Sequence, residues 1–248
     1  MSQTLTESIP TPQAGADFGR AHMEYLGKAT LFKHLPESVL ARLLPISEIM
    51  TIEAGTHICR RGEQASHLYV LADGQVTLSN TAGNGTIAVV EVIQPTGHFI
   101  LATMLARLPF LMDAHATAPS TLVAIRGEAL LSLIQDEPLL ATALLRAEAL
   151  DFRAMVRQVC DLKLRTTAQR LGCYLLEQAG EPTENKCNFR LPFDKRLLAA
   201  RLGCRQENLS RAFAALREVG VETHGSRVIL HDVQRLRDYA GPDEPLLA

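Results

Sequence analysis

Residues 194–219, DKRLLAARLGCRQENLSRAFAALREV, constrain the fold more than any other stretch, because they spell two short helices around one glycine. Asp194 is a candidate N-cap, with Leu197, Leu198 and Leu202 behind it at helical spacing. Gly203 ends this helix, since a residue free to turn left-handed closes a helix C-terminus at least cost. A second helix is predicted from Arg205 to Glu218, with Leu209, Phe213, Ala214 and Leu216 inward. Its other face carries Arg205, Gln206, Glu207, Ser210 and Arg211, the donor and acceptor types that read base edges in a DNA major groove. A solvated helical hairpin would show the same polarity, so the residues after Gly220 decide between the two. VETHGSRVIL (221–230) reads as two β-prone runs around Gly225-Ser226, which suits a type II′ turn. Helix, turn, helix and hairpin together make a winged helix-turn-helix. Arg227 and His224 stand near the hairpin tip, where they either touch phosphates or are simply solvated.

Charge supports this reading once it is divided along the chain. The net charge is −2, yet residues 161–240 hold 14 Lys and Arg against 10 Asp and Glu, while the remainder holds 11 against 17. The positive excess sits with the helix pair, as attraction to phosphate requires. No apolar run is long enough to cross a bilayer, and no basic segment with an apolar core opens the chain, so a cytoplasmic location without membrane attachment is expected. The five cysteines (59, 160, 173, 187, 204) show neither a CxxC pair nor a disulfide spacing and read as free thiols. Nucleophile elbow, phosphate loop and HExxH are all missing from the sequence, which argues against an enzyme.

From Ile46 to Ile125 the pattern turns to short β-prone pieces: IMTIEAG, THICRRG, HLYVLADG, QVTLSN, TIAVVEVI and TLVAI. Glycines 55, 62 and 74 punctuate them where turns need positive φ, and the spacing predicts a compact β-barrel or sandwich. Before it, LFKHLPESVLARLLP offers Leu31, Phe32, Leu35, Leu40, Leu43 and Leu44 to pack on a sheet. After it a long helix is predicted over Glu137–Lys163. Leu145, Ala149, Phe152, Val156 and Val159 follow the 4-3-4-3 spacing of a coiled-coil seam, which predicts a homodimer. A second stripe, Leu140, Leu144, Ala147 and Ala154, is expected to pack on the chain's own β domain. TTAQRLGCYLLEQAG reads as an amphipathic helix ending at Gly180, polar EPTENKCN as a joint, and DVQRLRDYA as a closing helix.

THICRRGEQASHLYVLADGQVTLSN (56–80), the long helix and the helix-turn-helix, in that order, resemble the CRP/FNR family of bacterial transcription regulators over about residues 30–240. The resemblance implies an α+β chain: an N-terminal double-stranded β-helix (a cupin-like β-roll) as sensor, a long dimerisation helix and a C-terminal winged helix-turn-helix. The expected divisions are a flexible arm over 1–24, the β-roll over 25–136, the dimerisation helix over 137–164, the DNA-binding domain over 165–240 and a tail over 241–248. Glu207, Ser210 and Arg211 match the family's E-x-x-S-R and resemble its FNR branch, implying a TTGAT-like half-site in an inverted repeat. Contact with RNA polymerase is implied by the family alone.

Members that bind cyclic AMP carry Gly-Glu after a G-x-F-x turn and an Arg-Ser or Arg-Thr pair about ten residues later. Here Leu101 and Ala102 follow Gly97-His98-Phe99-Ile100, and Phe110 and Leu111 stand where the Arg pair belongs, so cyclic-nucleotide sensing is not expected. With Cys59 the first cysteine, an iron–sulfur cluster is not expected either. Phe99, Ile100, Leu101, Met104, Leu105, Phe110 and Met112 then form either an apolar effector pocket or a filled core. LPFDKRLLAARLGCRQENLSRAFAALREVGV is similar to the nitric-oxide-responsive denitrification regulators (NnrR/DNR type), which implies haem as the sensor. His98 lies nearest the altered turn as a haem ligand; His22, His34 and Cys59 are further candidates. The alternative is a regulator sensing another small molecule or redox state without haem.

Overall fold

The computed structural model describes residues 16–85, 87–180, 184–192 and 194–241. They form two compact units: residues up to Leu78 together with Val92–Leu150, and Ser79–Glu91 together with the residues from Asp151 onward. Residues 242–248 of the expected tail and the first fifteen residues of the expected arm lie outside the described residues.

The first unit opens with α1 (Ala16–Lys28), which corrects the expectation of a loose arm reaching residue 24: Leu26 is fully buried, and that burial holds the helix down. Next come α2 (Glu37–Leu43) and a 3-10 turn (Leu44–Ile46). The chain then forms strands β1 (Ser47–Ile52), β2 (His57–Cys59), β3 (His67–Asp73), β4 (Val76–Thr81), β5 (Ile87–Ile93) and β6 (His98–Phe99). After a short helix, α3 (Leu101–Ala106), β7 (Asp113–Ala116) and β8 (Ser120–Arg126) complete two four-stranded sheets, ordered β1-β8-β3-β6 and β2-β7-β4-β5. Of the barrel or sandwich that the strand and glycine spacing predicts, this is the sandwich. Glycines 55, 62 and 74 take φ of 85°, 87° and 94°, as the turns require. Sequence pattern misses β6 and β7; both are short, and histidine or aspartate interrupts their apolar run.

β3 and β8 are buried on both faces, and their period-2 alternation builds two cores at once. Tyr69, Leu71, Leu122 and Ala124 face the inside of the sandwich, while Leu68, Val70, Val123 and Ile125 face a second core. Leu31, Phe32, Leu40 and Leu43 are buried in that second core, with Leu35 and Leu44 partly buried against it. The cover is completed by α4 (Gly127–Asp136) and the start of α5 (Pro138–Leu164). Proline at the first position of α5 costs nothing, because its missing N–H would have no helical partner there.

Along α5 the two predicted stripes separate. Leu140, Leu144 and Ala147 are buried in the first unit. Leu145 (71% exposed), Phe152 (70%), Val156 (46%) and Val159 (43%) stay exposed in the single chain, as does Ala149. Ala154 is exposed as well, which corrects its assignment to the inner stripe; by that point the helix has entered the second unit.

In the second unit, α6 (Thr167–Ala179) starts with a capping box: the Gln169 N–H donates to Thr166 Oγ1 at 3.2 Å and the Thr166 N–H to Gln169 Oε1 at 3.0 Å. Thr166→Ala is expected to destabilise the protein by about 1 kcal/mol, read as a lower denaturant midpoint with unchanged slope. Then come β9 (Cys187–Arg190), α7 (Lys195–Arg201), α8 (Gln206–Arg217), β10 (Val221–His224), β11 (Arg227–Leu230) and α9 (Val233–Ala240), with sheet order β10-β11-β9. β9 corrects the reading of EPTENKCN as a mere joint. CNFR pairs with β11 in the register Cys187↔Leu230 to Arg190↔Arg227, a non-local pairing that no local pattern announces. The β4–β5 hairpin (Ser79–Glu91) belongs to this unit: Gln158 of α5 donates its side-chain N–H to the Val90 carbonyl at 3.1 Å. No helix among the described residues is long and apolar enough to cross a membrane.

Candidate nucleic-acid interface and sensor region

Asp194 caps α7 as its sequence position predicts, accepting from the Leu197 N–H at 2.8 Å. Gly203 adopts φ of 63° just past the helix, and Gly203 N and Cys204 N donate back to Ala200 O (3.2 Å) and Ala199 O (2.9 Å). That reversal fixes the start of α8. Leu209, Ala212, Phe213 and Leu216 are buried against α6, α7 and the hairpin, and Lys195 sits 5.2 Å from the centre of the Phe213 ring. Ala214 is exposed, correcting its inward assignment; five residues beyond Leu209 it stands about 140° round the helix, and Ala212 takes the inner place. Arg205, Gln206, Glu207, Ser210 and Arg211 are all exposed. One face of α8 is therefore spent on the core, and the other offers a guanidinium, a carboxylate and a hydroxyl within two turns.

The wing has the expected two-residue loop. His224 pairs with Arg227 across Gly225-Ser226, Gly225 has φ of 61° and Ser226 keeps negative φ, the II′ pattern. The tip residues have partners within the protein. His224 Nε2 lies 2.7 Å from Glu222 Oε1 and His231 Nε2 2.8 Å from Glu222 Oε2; Arg227 donates to Asn188 Oδ1 at 3.1 Å. Hydrogen bonds from His231 and His224 hold the Glu222 carboxyl below its usual range.

In the first unit, the residues expected to line one pocket divide between the two cores. Phe99 and Phe110 are buried inside the sandwich, with Ile100 and Met112 partly buried beside them, and the Tyr69 and Phe99 rings stack at 5.2 Å. Leu101 and Met104 are buried in the other core, with Leu105 packed against it. Thr96 (φ 74°) and Ile100 (φ 75°) are both left-handed, strained for β-branched side chains, and they bracket Gly97-His98-Phe99. Leu101 opens α3 at 2% exposure, where a phosphate-binding turn would instead need exposed backbone. His98 is half-buried on β6, paired with Val70 of β3. His22 is buried with Nε2 2.9 Å from Ser47 Oγ, and burial keeps it below the usual imidazole range; His34 is exposed. An open cleft of about 380 Å³ lies elsewhere, lined by Arg42, Pro45, Ile46, Ala129, Ser132, Leu133 and Asp136.

The fit to a haem is poor in this arrangement. Tyr69, Phe99 and Phe110 fill the sandwich interior where a flat ring would lie. Burial pushes the Cys59 thiol up to about 12, far from the thiolate that iron requires. Burial also raises the Cys187 and Cys204 thiols, which disfavours a thiolate-based redox switch at either.

Comparison with known proteins agrees with this layout. Residues 49–137 match the cyclic nucleotide-binding domain family, and residues 169–239 match the Crp-like helix-turn-helix domain family. A provisionally described cyclic nucleotide binding protein from Ruegeria pomeroyi is 31% identical, over 90% of this chain and 99% of that one, with a TM-score of 0.59. A CRP-like cAMP-activated global transcriptional regulator of Mycobacterium tuberculosis is 24% identical over 217 residues, 86% of this chain and 97% of that protein. The sensor domain of the transcriptional regulator DNR from Pseudomonas aeruginosa is 29% identical, over 56% of this chain and 94% of that one, with a TM-score of 0.50.

Proposed function

The chain belongs to the CRP/FNR family of DNA-binding transcription regulators, and from that premise we propose that it acts as a cytoplasmic homodimer reading an FNR-like inverted repeat. The observation that carries this is the exposed face of α8, where Glu207, Ser210 and Arg211 stand on a helix whose opposite side is locked into the core. Arg211 forks onto guanine O6 and N7, Glu207 accepts from cytosine N4, and Ser210 approaches a thymine methyl; Arg205 and Gln206 meet phosphate or a further base at the helix start. The exposed seam Leu145, Ala149, Phe152, Val156 and Val159 joins two copies, placing their reading helices about 34 Å apart, one turn of DNA. Arg211→Ala is expected to cost about 1–3 kcal/mol and to relax discrimination at one base pair. An electrophoretic titration over single-base variants of a TTGAT inverted repeat checks it, and an unchanged preference would contradict the assignment.

For the signal, the β-roll answers to a small effector that is not a cyclic nucleotide: Leu101 and Ala102, and Phe110 and Leu111, offer neither the backbone approach nor the fixed cation that a cyclic phosphate needs. The resemblance to denitrification regulators favours nitric oxide. Haem as its carrier would require Tyr69, Phe99 and Phe110 to repack, so a spectrum of protein reconstituted with haem decides the point. A Soret band that shifts with nitric oxide supports the haem reading; DNA affinity indifferent to both ligands removes it and leaves the DNA-binding reading intact. Any effector acts only by favouring the DNA-competent arrangement over the idle one.

A further inference from the structure

Where α5 ends, one guanidinium holds the ends of two helices. Arg170, in the first turn of α6, donates through Nη1 to the Arg165 carbonyl at 2.8 Å, just past the end of α5. Through Nε it donates to the Leu202 carbonyl at 3.1 Å, the C-cap of α7 and the start of the turn into α8. Nη2 lies 3.5 Å from Thr167 Oγ1. Carbonyls at helix C-termini have no partner within their helix and carry the negative end of the helix dipole, so a shared cation stabilises both ends together. Because the guanidinium is planar with its donors in a fixed fork, it also sets the separation and angle of the two carbonyls. Two further contacts brace the same corner. Arg165 pairs with Asp161 of α5 and donates to the Gly241 carbonyl at the end of α9 at 2.5 Å. Leu162 of α5 packs so close to Gly203 that a β-carbon there would lie 2.9 Å from Leu162 Cδ2.

We propose that Arg170 is a positioning residue: by tying the Arg165 carbonyl, just past the long helix, to the C-terminus of α7, it fixes the angle at which each subunit presents α8 and so sets the half-site spacing the dimer accepts. The inference rests on the proposed reading of an inverted repeat by a dimer. Arg170 touches no base in it; only the geometry of reading depends on it. Each base pair added between half-sites moves one of them by about 3.4 Å and turns it by roughly 35°, so a rigid corner is strict about spacing and a loose one is tolerant.

The test titrates full-length wild type, R170A, R170K and R211A against inverted repeats whose spacer is lengthened or shortened by one and two base pairs, with thermal melts to check folding. Wild type is expected to prefer its own spacing by about tenfold, R170A by about twofold, and R170K, which keeps the charge without the fork, to fall between. R211A weakens binding at every spacing and leaves the spacing preference alone. R170A as strict as wild type overturns the inference; should R170A not fold, R170K as strict as wild type does so. Wild type indifferent to the inverted repeat overturns the DNA reading itself, and this inference with it.

Discussion

Leu145→Asp combined with Phe152→Asp is expected to yield a well-folded monomer that has lost most of its affinity for an inverted repeat. Both side chains are about 70% exposed in the single chain, so the chain's own fold does not depend on them. In a two-fold interface each occurs twice, and burying such a side chain is worth about 1.5–3 kcal/mol. The double substitution therefore removes roughly 6–12 kcal/mol of association energy and adds four carboxylates to an apolar seam. Sedimentation velocity at micromolar concentration, with circular dichroism on the same samples, checks both halves of the expectation. A persistent dimer would show that the seam lies elsewhere; a collapsed helix signal would show that these side chains serve the fold.

Gly74→Ala carries the largest expected effect on stability. Gly74 joins β3 to β4 with φ of 94°, a conformation that costs a side chain about 1–2 kcal/mol. A β-carbon there would also meet the Pro119 carbonyl and Ser120 Oγ at 2.4 Å. Backbone cannot step aside as a flexible side chain can, and the same corner is stitched by Gln75 N to Ser120 Oγ (3.1 Å) and Thr117 N to Gln75 O (2.9 Å). The expected loss is roughly 3–5 kcal/mol. Gly55→Ala is the control: its φ of 85° is similar, but nothing lies within 4 Å of the added carbon, so only the conformational cost of about 1–2 kcal/mol is expected. Urea midpoints for the pair give the comparison, and equal losses would refute the steric argument.

Local chemistry decides which features are legible in the sequence. Asp194 and Gly203 mark the ends of α7 without reference to the rest of the chain, and Gly180 does the same for the end of α6. The exposed apolar stripe of α5 is legible because a heptad must repeat to be useful, and four turns give it room. β9 is not, because CNFR becomes a strand only when β11 lies beside it, far along the chain. Pattern misplaces Ala214 because alanine carries too little apolar surface to declare a side, so the register of α8 is set by Leu209, Phe213 and Leu216 alone. The residues expected to line one pocket escape for a different reason. Phe99 and Leu101 are two apart in sequence, yet the left-handed turn at Ile100 sends them into different cores, and composition cannot tell one pocket from two filled interiors.

The bond from Gln158 to the Val90 carbonyl bears on how the molecule can be taken apart. Val90 lies within the span that matches the cyclic nucleotide-binding domain family, while the residue gripping it is on the far half of α5. A chimera spliced after Leu150 would keep the donor's hairpin and discard its clasp, so grafts that exchange the N-terminal domain between regulators of this kind should be joined beyond Gln158.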